Sequence, residues 1–262
     1  MNKPPILRNK FYREPSVFNP KNLLREARRQ KHIANCPVPD VCILDPDGDL
    51  VRYLEKEGKT KKNECWACYH SELFTHDLNG TRIGILPCAV GASYAVLIAE
   101  QLFVSGCRLL ISVTSAGIVT DQTSSKQFAL ITEAVRDEGT SYHYLPPEKP
   151  SRISGSLYDA LTAASPAAEP PYFEAKSWTT DAPYRETQTS INVMKQNGVT
   201  CVEMEASALY AFAEYSQNSV LCFAHLTNSM AQEEGDFEKG EEFGSLDTLR
   251  LITDVLKRLG LN

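Results

Sequence analysis

Residues 85–114 constrain the fold more than any other stretch of the chain. They read ILPCAV, then the tight turn Gly91-Ala-Ser93, then a helical pattern, SYAVLIAEQLFVSG, stopping at Gly106, then RLLISVT. Strand, helix, strand is a βαβ crossover, and continuous apolar strands imply a sheet covered on both faces. The flanks extend the pattern. VCILDP (41–46) reads as a buried strand and DLVRYLEKEG (49–58) as a short helix stopped by Gly58. CWACYHSELFTHD and TRIGILPCAV read as two strands around the turn at 77–80. FALITEAVR, YFEAKSWTT and VLCFAHLTN read as further strands. SLYDALTAAS, RETQTSINVMKQNG and LDTLRLITDVLKRLG read as helices. Asn19-Pro20 is an N-cap followed by proline at the first helical position, so a helix follows over LLREARRQK. No repeat or long Pro/Ser-rich linker divides the chain. The expectation is an N-terminal arm with a short helix over residues 1–30 and one α/β domain over residues 31–262.

The 262 residues carry a net charge of -6, which gives no support for the basic footprint of a nucleic-acid binder. No apolar run approaches a membrane span, and the N-terminal residues lack the apolar core of a signal peptide. A cytoplasmic protein without membrane or nucleic-acid partners is expected. Eight cysteines in such a chain argue weakly for disulfides. Cys65-Trp-Ala-Cys68 lacks a second ligand pair at zinc spacing, so no metal is expected, and it reads as part of a buried strand.

Ligands in such sheets bind beyond the carboxyl ends of the strands. That rule selects DPDGD (45–49), Gly91 to Ser93, VTSAG (113–117), EME (203–205) and TNSM (227–230). Gly91 and Ser93 open a helix, where free N–H groups can meet an anion. In CVEMEASALY (201–210) two glutamates stand where a buried strand hands over to a buried helix. Buried carboxylates need neutralisation, a partner or hydrogen bonds. Helix capping is one answer; a ligand is another.

Taken together, CAVGASYAVLIAEQL, LLISVTSAGIV, EAVRDEGTSYHYLPPE, TTDAPYRET and VEMEASALY resemble, in this order, the nucleoside phosphorylase superfamily of uridine and hexameric purine nucleoside phosphorylases. The resemblance spans roughly residues 30–260. It implies a three-layer α/β/α sandwich around a mixed, partly barrel-like sheet. It also implies an enzyme that cleaves the N-glycosidic bond of a nucleoside, without a cofactor, as a homo-oligomer of the dimer or hexamer-of-dimers type. Inorganic phosphate would be the co-substrate, giving ribose 1-phosphate. Carried over residue by residue, Glu205 would accept from the ribose diol and Met204 would lie on the sugar. Thr114 would lie near sugar and nucleophile, and His32 would reach a neighbouring subunit's ribose. Asp181, Tyr184, Arg185 and Ser115 fall in base-site segments. Asn228 stands where purine-acting hexameric members have an aspartate, and trimeric purine phosphorylases place an asparagine there, so the base stays open.

The chain departs from the pattern at the phosphate. Ile111 occupies the position of a phosphate arginine, and the first loop carries Asp45, Asp47 and Asp49 ahead of Arg52. Gly91, Ser93 and Arg52 remain as candidates for the nucleophile pocket. Hydrolytic nucleosidases of the superfamily also lack these arginines, carry an acid in the first loop and read serine-alanine-glycine in the central motif, as at residues 115–117. Asp47 or Asp49 is therefore a candidate base for water, although DPDG is also turn chemistry in its own right. Hydrolysis, or a nucleoside-binding protein without turnover, are the alternatives. The acidic stretch 233–244 reads as a solvated loop or a lid.

Overall fold

A computed structural model describes residues 4–120, 127–163, 168–228, 234 and 237–261. The crossover forms as its sequence requires. β1 (Val41–Asp45) is buried at every position. It pairs in parallel with β4 (Thr81–Pro87) on one side and β5 (Leu109–Ile118) on the other. α3 (Ala92–Val104) links β4 to β5 and buries Ala95, Val96, Ile98, Ala99 and Leu102. Beyond β4, β3 (Phe74–Leu78) and β2 (Thr60–Lys62) continue the sheet in antiparallel hairpins.

On the other side the sheet closes. β5 pairs with β10 (Ser219–Asn228), β10 with β6 (Phe128–Asp137), β6 with β8 (Tyr172–Thr180), β8 with β9 (Cys201–Glu203), and β9 returns to β5. These five strands make a closed barrel, with β7 (Ser151–Arg152) on the edge of β6. The ten-residue β5 belongs to both parts. α3 and α6 (Ala206–Ser216) pack on one face. α2 (Asp49–Lys56), α4 (Gly155–Thr162) and α7 (Ser245–Arg258) pack on the other. That alternation divides β5: Leu110 and Ala116 join the α3/α6 cluster, while Ile111 and Val113 join the α2/α7 cluster. α5 (Gln188–Gln196) packs Ile191 and Met194 beside Trp178. The architecture is the expected single α/β domain with a mixed, partly barrel-like sheet.

α1 (Pro20–Lys31) is capped by the Asn19 side chain, which accepts from Asn22 N–H at 3.0 Å. Leu24 and Ala27 are fully buried against Ala67, so the helix of the expected arm is packed onto the domain. One stretch differs from expectation. Residues 65–73 form a loop and not a strand; pairing begins only at Phe74. Cys65 is joined to Cys36 in a disulfide, with Cα atoms 5.3 Å apart. The Trp66 indole donates to Ser71 within the loop. Alternation of apolar residues here records a loop anchored by Trp66, Ala67 and Cys68, all buried. Among the described residues, no helix is long and apolar enough to cross a membrane.

Candidate active site

Two acidic groups flank the carboxyl-terminal half of β5. The first is the handover from β9 to α6. Glu203 is 3% exposed and saturated with donors. Oε1 accepts from Ser177 Oγ at 3.0 Å and Thr179 Oγ1 at 2.5 Å. Oε2 accepts from the N–H groups of Glu205 and Ala206, both at 2.7 Å. Glu203 therefore caps α6, meeting N–H groups that the first turn leaves without partners.

Glu205 is 1% exposed and held differently. Its Oε1 accepts from Gly91 N–H at 2.7 Å, and Oε2 has a long bond from Met204 N–H at 3.3 Å. The Thr114 hydroxyl, which donates to the Ser115 carbonyl at 3.3 Å, favours the ionised form of Glu205. Burial, with the charge of Glu203 adding to it, pushes the Glu205 carboxyl up to about 8. Burial also pushes Glu203 up, against donors that favour its ionised form. Met204 is half-buried between them.

The second group is the β1–α2 turn. Gly48 has φ +74, and a Cβ there would stand 2.8 Å from both Cys88 Sγ and Arg52 Nη1, so DPDGD needs its glycine. Buried Asp45 accepts from Val51 N–H at 3.1 Å, and burial raises its carboxyl to about 7. Asp47 Oδ2 accepts from the Ser115 N–H at 3.2 Å and the Ser115 hydroxyl at 2.5 Å. Lys239 reaches in from the segment after β10, with Nζ 2.6 Å from Asp49 Oδ2 and 3.2 Å from Asp47 Oδ2. Arg52 closes the other side, donating to Asp49 Oδ1 at 2.6 Å and to the Asp47 carbonyl at 2.7 Å. Behind the turn is a cavity of about 20 Å³ lined by Asp45, Asp47, Asp49, Ser115, His225 and Ser245, among others. It is polar and has room for a water molecule. Among the described residues, the buried Ser245 hydroxyl has no hydrogen-bond partner. Burial lowers the His225 imidazole, whose ring stacks on Phe128.

The structure thus brings Glu205, Met204, Thr114 and Gly91 together, and separately Asp47, Asp49, Ser115 and Arg52. Several expected roles change. The Gly91 N–H faces Glu205 and not an open anion site, and Ser93 is exposed on the outer side of α3. Arg52 is bound to the acid turn, with its side chain 60% exposed. Asp181 braces the next loop by accepting from Gly139 N–H at 2.8 Å. Tyr184 is 99% exposed and Arg185 is also exposed. Tyr184 and Arg185 of the expected base segment thus face solvent, on a short 3₁₀ turn that Pro183 starts. His32 is the left-handed C-cap of α1, at φ 55, and exposed. Asn228 is half-buried at the end of β10, where its amide donates to Thr227 Oγ1 and its backbone bridges to Phe237. Ser229 and Met230 of TNSM lie outside the described residues, as do 233, 235 and 236 of the acidic stretch. The rest of that stretch is tied down, by Lys239 to the acid turn and by Glu242 to Lys56 at 3.0 Å. Sequence reading missed Lys239. Its only signal was a lone cation among acids opposite DPDGD.

The chain is thus a barrel-bearing α/β domain with a buried glutamate at the head of a helix beside β5. The profile of the Phosphorylase superfamily matches residues 40–253, and the chain belongs to that enzyme superfamily. A uridine phosphorylase of Thermococcus kodakarensis is 25% identical over 224 residues, 76% of this chain and 80% of the relative. A purine nucleoside phosphorylase DeoD-type 1 of Shewanella oneidensis is 25% identical over 163 residues, 62% of this chain and 69% of the relative. In fold, the chain is similar to the crystal structure of uridine phosphorylase from Vibrio fischeri, with a TM-score of 0.67 and 20% identity, covering 89% of this chain and 94% of that one.

Proposed function

We propose that this chain cleaves the N-glycosidic bond of a purine or pyrimidine nucleoside, with water as the nucleophile. The observation that carries the reading is the contrast between the two glutamates. Glu203 has four strong donors, whereas Glu205, equally buried, has one short bond and one long bond. A ribose diol supplies the missing donors, since an ionised carboxylate only accepts. Met204 lies against the sugar, and Asn228 donates to and accepts from the base edge.

The choice of water follows from the second group. Ile111 is fully buried in apolar surroundings on the face of the acid turn. Lys239 and Arg52, the cations at that turn, both pair with carboxylates. Phosphate there would meet negative charge, whereas a carboxylate orients water and accepts its proton. Water adds to the anomeric carbon as the bond to the base breaks and its proton passes to Asp47; the base leaves with the bonding electrons as its anion and takes a proton from solvent, giving free ribose and base. A second reading, phosphorolysis, is supported by the names of the matched relatives, which are phosphorylases of both pyrimidine and purine nucleosides. It requires phosphate to displace Lys239 from the acid turn.

A nucleoside panel assayed with and without phosphate tests both readings. Base and free ribose at a rate independent of phosphate are expected. Phosphate-dependent ribose 1-phosphate would establish phosphorolysis instead. Tight nucleoside binding without either product would overturn the catalytic assignment.

A further inference from the structure

We propose that Lys239 is a positioning residue, a latch from the segment after β10 that fixes Asp47 against Ser115 at the nucleophile pocket. The proposal deepens the hydrolytic reading and rests on it for its kinetic consequence, though not for the latch itself.

Three observations converge on it. First, the Lys239 side chain is 13% exposed and its ammonium bridges two carboxylates from a different part of the chain, Asp49 at 2.6 Å and Asp47 at 3.2 Å. Second, Asp47 Oδ2 meets three donors at once, the Ser115 N–H, the Ser115 hydroxyl and Lys239. That fixes the rotamer and directs Oδ1 as the acceptor for another group. Third, this constellation stands at the wall of the polar cavity, where the Ser245 hydroxyl lacks a partner among the described residues. A buried hydroxyl without a partner in a polar cavity calls for an ordered water.

The surrounding charges explain why a cation is needed. Asp45, Asp47 and Asp49 converge within one turn, with Asp247 acting on His225 from α7. Arg52 is largely exposed and, among the described carboxylates, binds Asp49 alone. Among the described residues, Lys239 is the one cation that bonds to Asp47 and Asp49 together, so without it the two repel and the turn loses the geometry that places Asp47. Phosphate meets the same barrier from the other side, since its entry needs Lys239 to leave.

The test compares Lys239→Met and Lys239→Arg with the unaltered protein, by steady-state kinetics on nucleosides and by amide hydrogen exchange. Lys239→Met is expected to lower kcat about 10- to 100-fold, as a misplaced catalytic group does, with KM nearly unchanged because the sugar is held by Glu205. Exchange is expected to speed up together in residues 45–52 and 237–244. Lys239→Arg, which keeps the charge, is expected to restore most of both. An unchanged kcat, or a kcat that Arg fails to restore, would overturn the positioning role. Unchanged exchange at residues 45–52 in Lys239→Met would overturn the latch whatever the activity. A protein that turns over no nucleoside would sink the proposed function, while the exchange data would still decide the latch.

Discussion

The β9–α6 handover and the β1–α2 turn each bury carboxylates, and they hold them by opposite means. At the handover no cation among the described residues takes part: backbone N–H groups and hydroxyls hold Glu203, and Glu205 is left short of donors. At the turn, Lys239 and Arg52 close an ion-paired network around Asp47 and Asp49. Adjacent residues of β5 serve the two sites, Thr114 facing Glu205 and Ser115 facing Asp47. The lesson is that a carboxylate short of donors is available to a neutral, donor-rich ligand, whereas a fully paired one is part of the scaffold or acts through a single open oxygen.

The comparison breaks most visibly at Glu203. Glu203→Ala leaves buried hydroxyls and helix N–H groups without partners, and should cost more than about 3 kcal/mol in urea unfolding. A loss below about 1 kcal/mol would mean that its hydrogen bonds are not structural. Glu205→Gln should be milder for stability and far worse for function. Two charge-assisted bonds to a diol are worth roughly a hundredfold or more in kcat/KM. Unchanged kinetics would remove Glu205 from the site.

Protonation sharpens the same contrast. The Glu205 carboxyl is raised from 4.5 to about 8 and that of Asp45 from 3.8 to about 7. A raised carboxyl stabilises the folded state while protonated. That contribution is complete below about pH 4 and is lost as the pH rises through 7 to 8. Unfolding free energy should therefore fall between pH 5 and 8, and Glu205→Gln and Asp45→Asn should each flatten the slope. A slope of opposite sign in the unaltered protein would contradict the assignment. Nucleoside binding at pH 7 should release protons, because the diol favours ionised Glu205; calorimetry in buffers of different ionisation enthalpy measures this. The smallest effect is at Lys56, whose pairing with Glu242 is exposed. Lys56→Met should leave the Tm within error, as isolated surface pairs do. A large drop there would show that the segment is held from its rim and not by Lys239.

The strands and helices were largely legible because burial imposes period and composition on them. β8 was read to the residue, and the βαβ unit to within a residue or two at the ends of α3. The burial of Glu203 and Glu205 where a strand hands over to a helix was legible because that motif is contiguous. Residues 65–73 were not, because loop anchors and strand faces both alternate apolar residues, and a disulfide between residues 36 and 65 leaves no local pattern. Nor was the outward turn of Tyr184 and Arg185.

The sequence by itself determined that a doubly covered α/β sheet would form, that two glutamates would be buried where a strand meets a helix, and that no arginine would stand at residue 111. Those are local facts of side-chain type and spacing. Only the tertiary structure decided which glutamate caps the helix and which is left for a ligand, since that depends on Gly91, Ser177 and Thr179 arriving from other strands and turns. It likewise decided that Lys239, 190 residues from Asp49 in the chain, joins the acid turn. A charge acts on what lies within a few ångströms of it, and that neighbourhood is set by the fold.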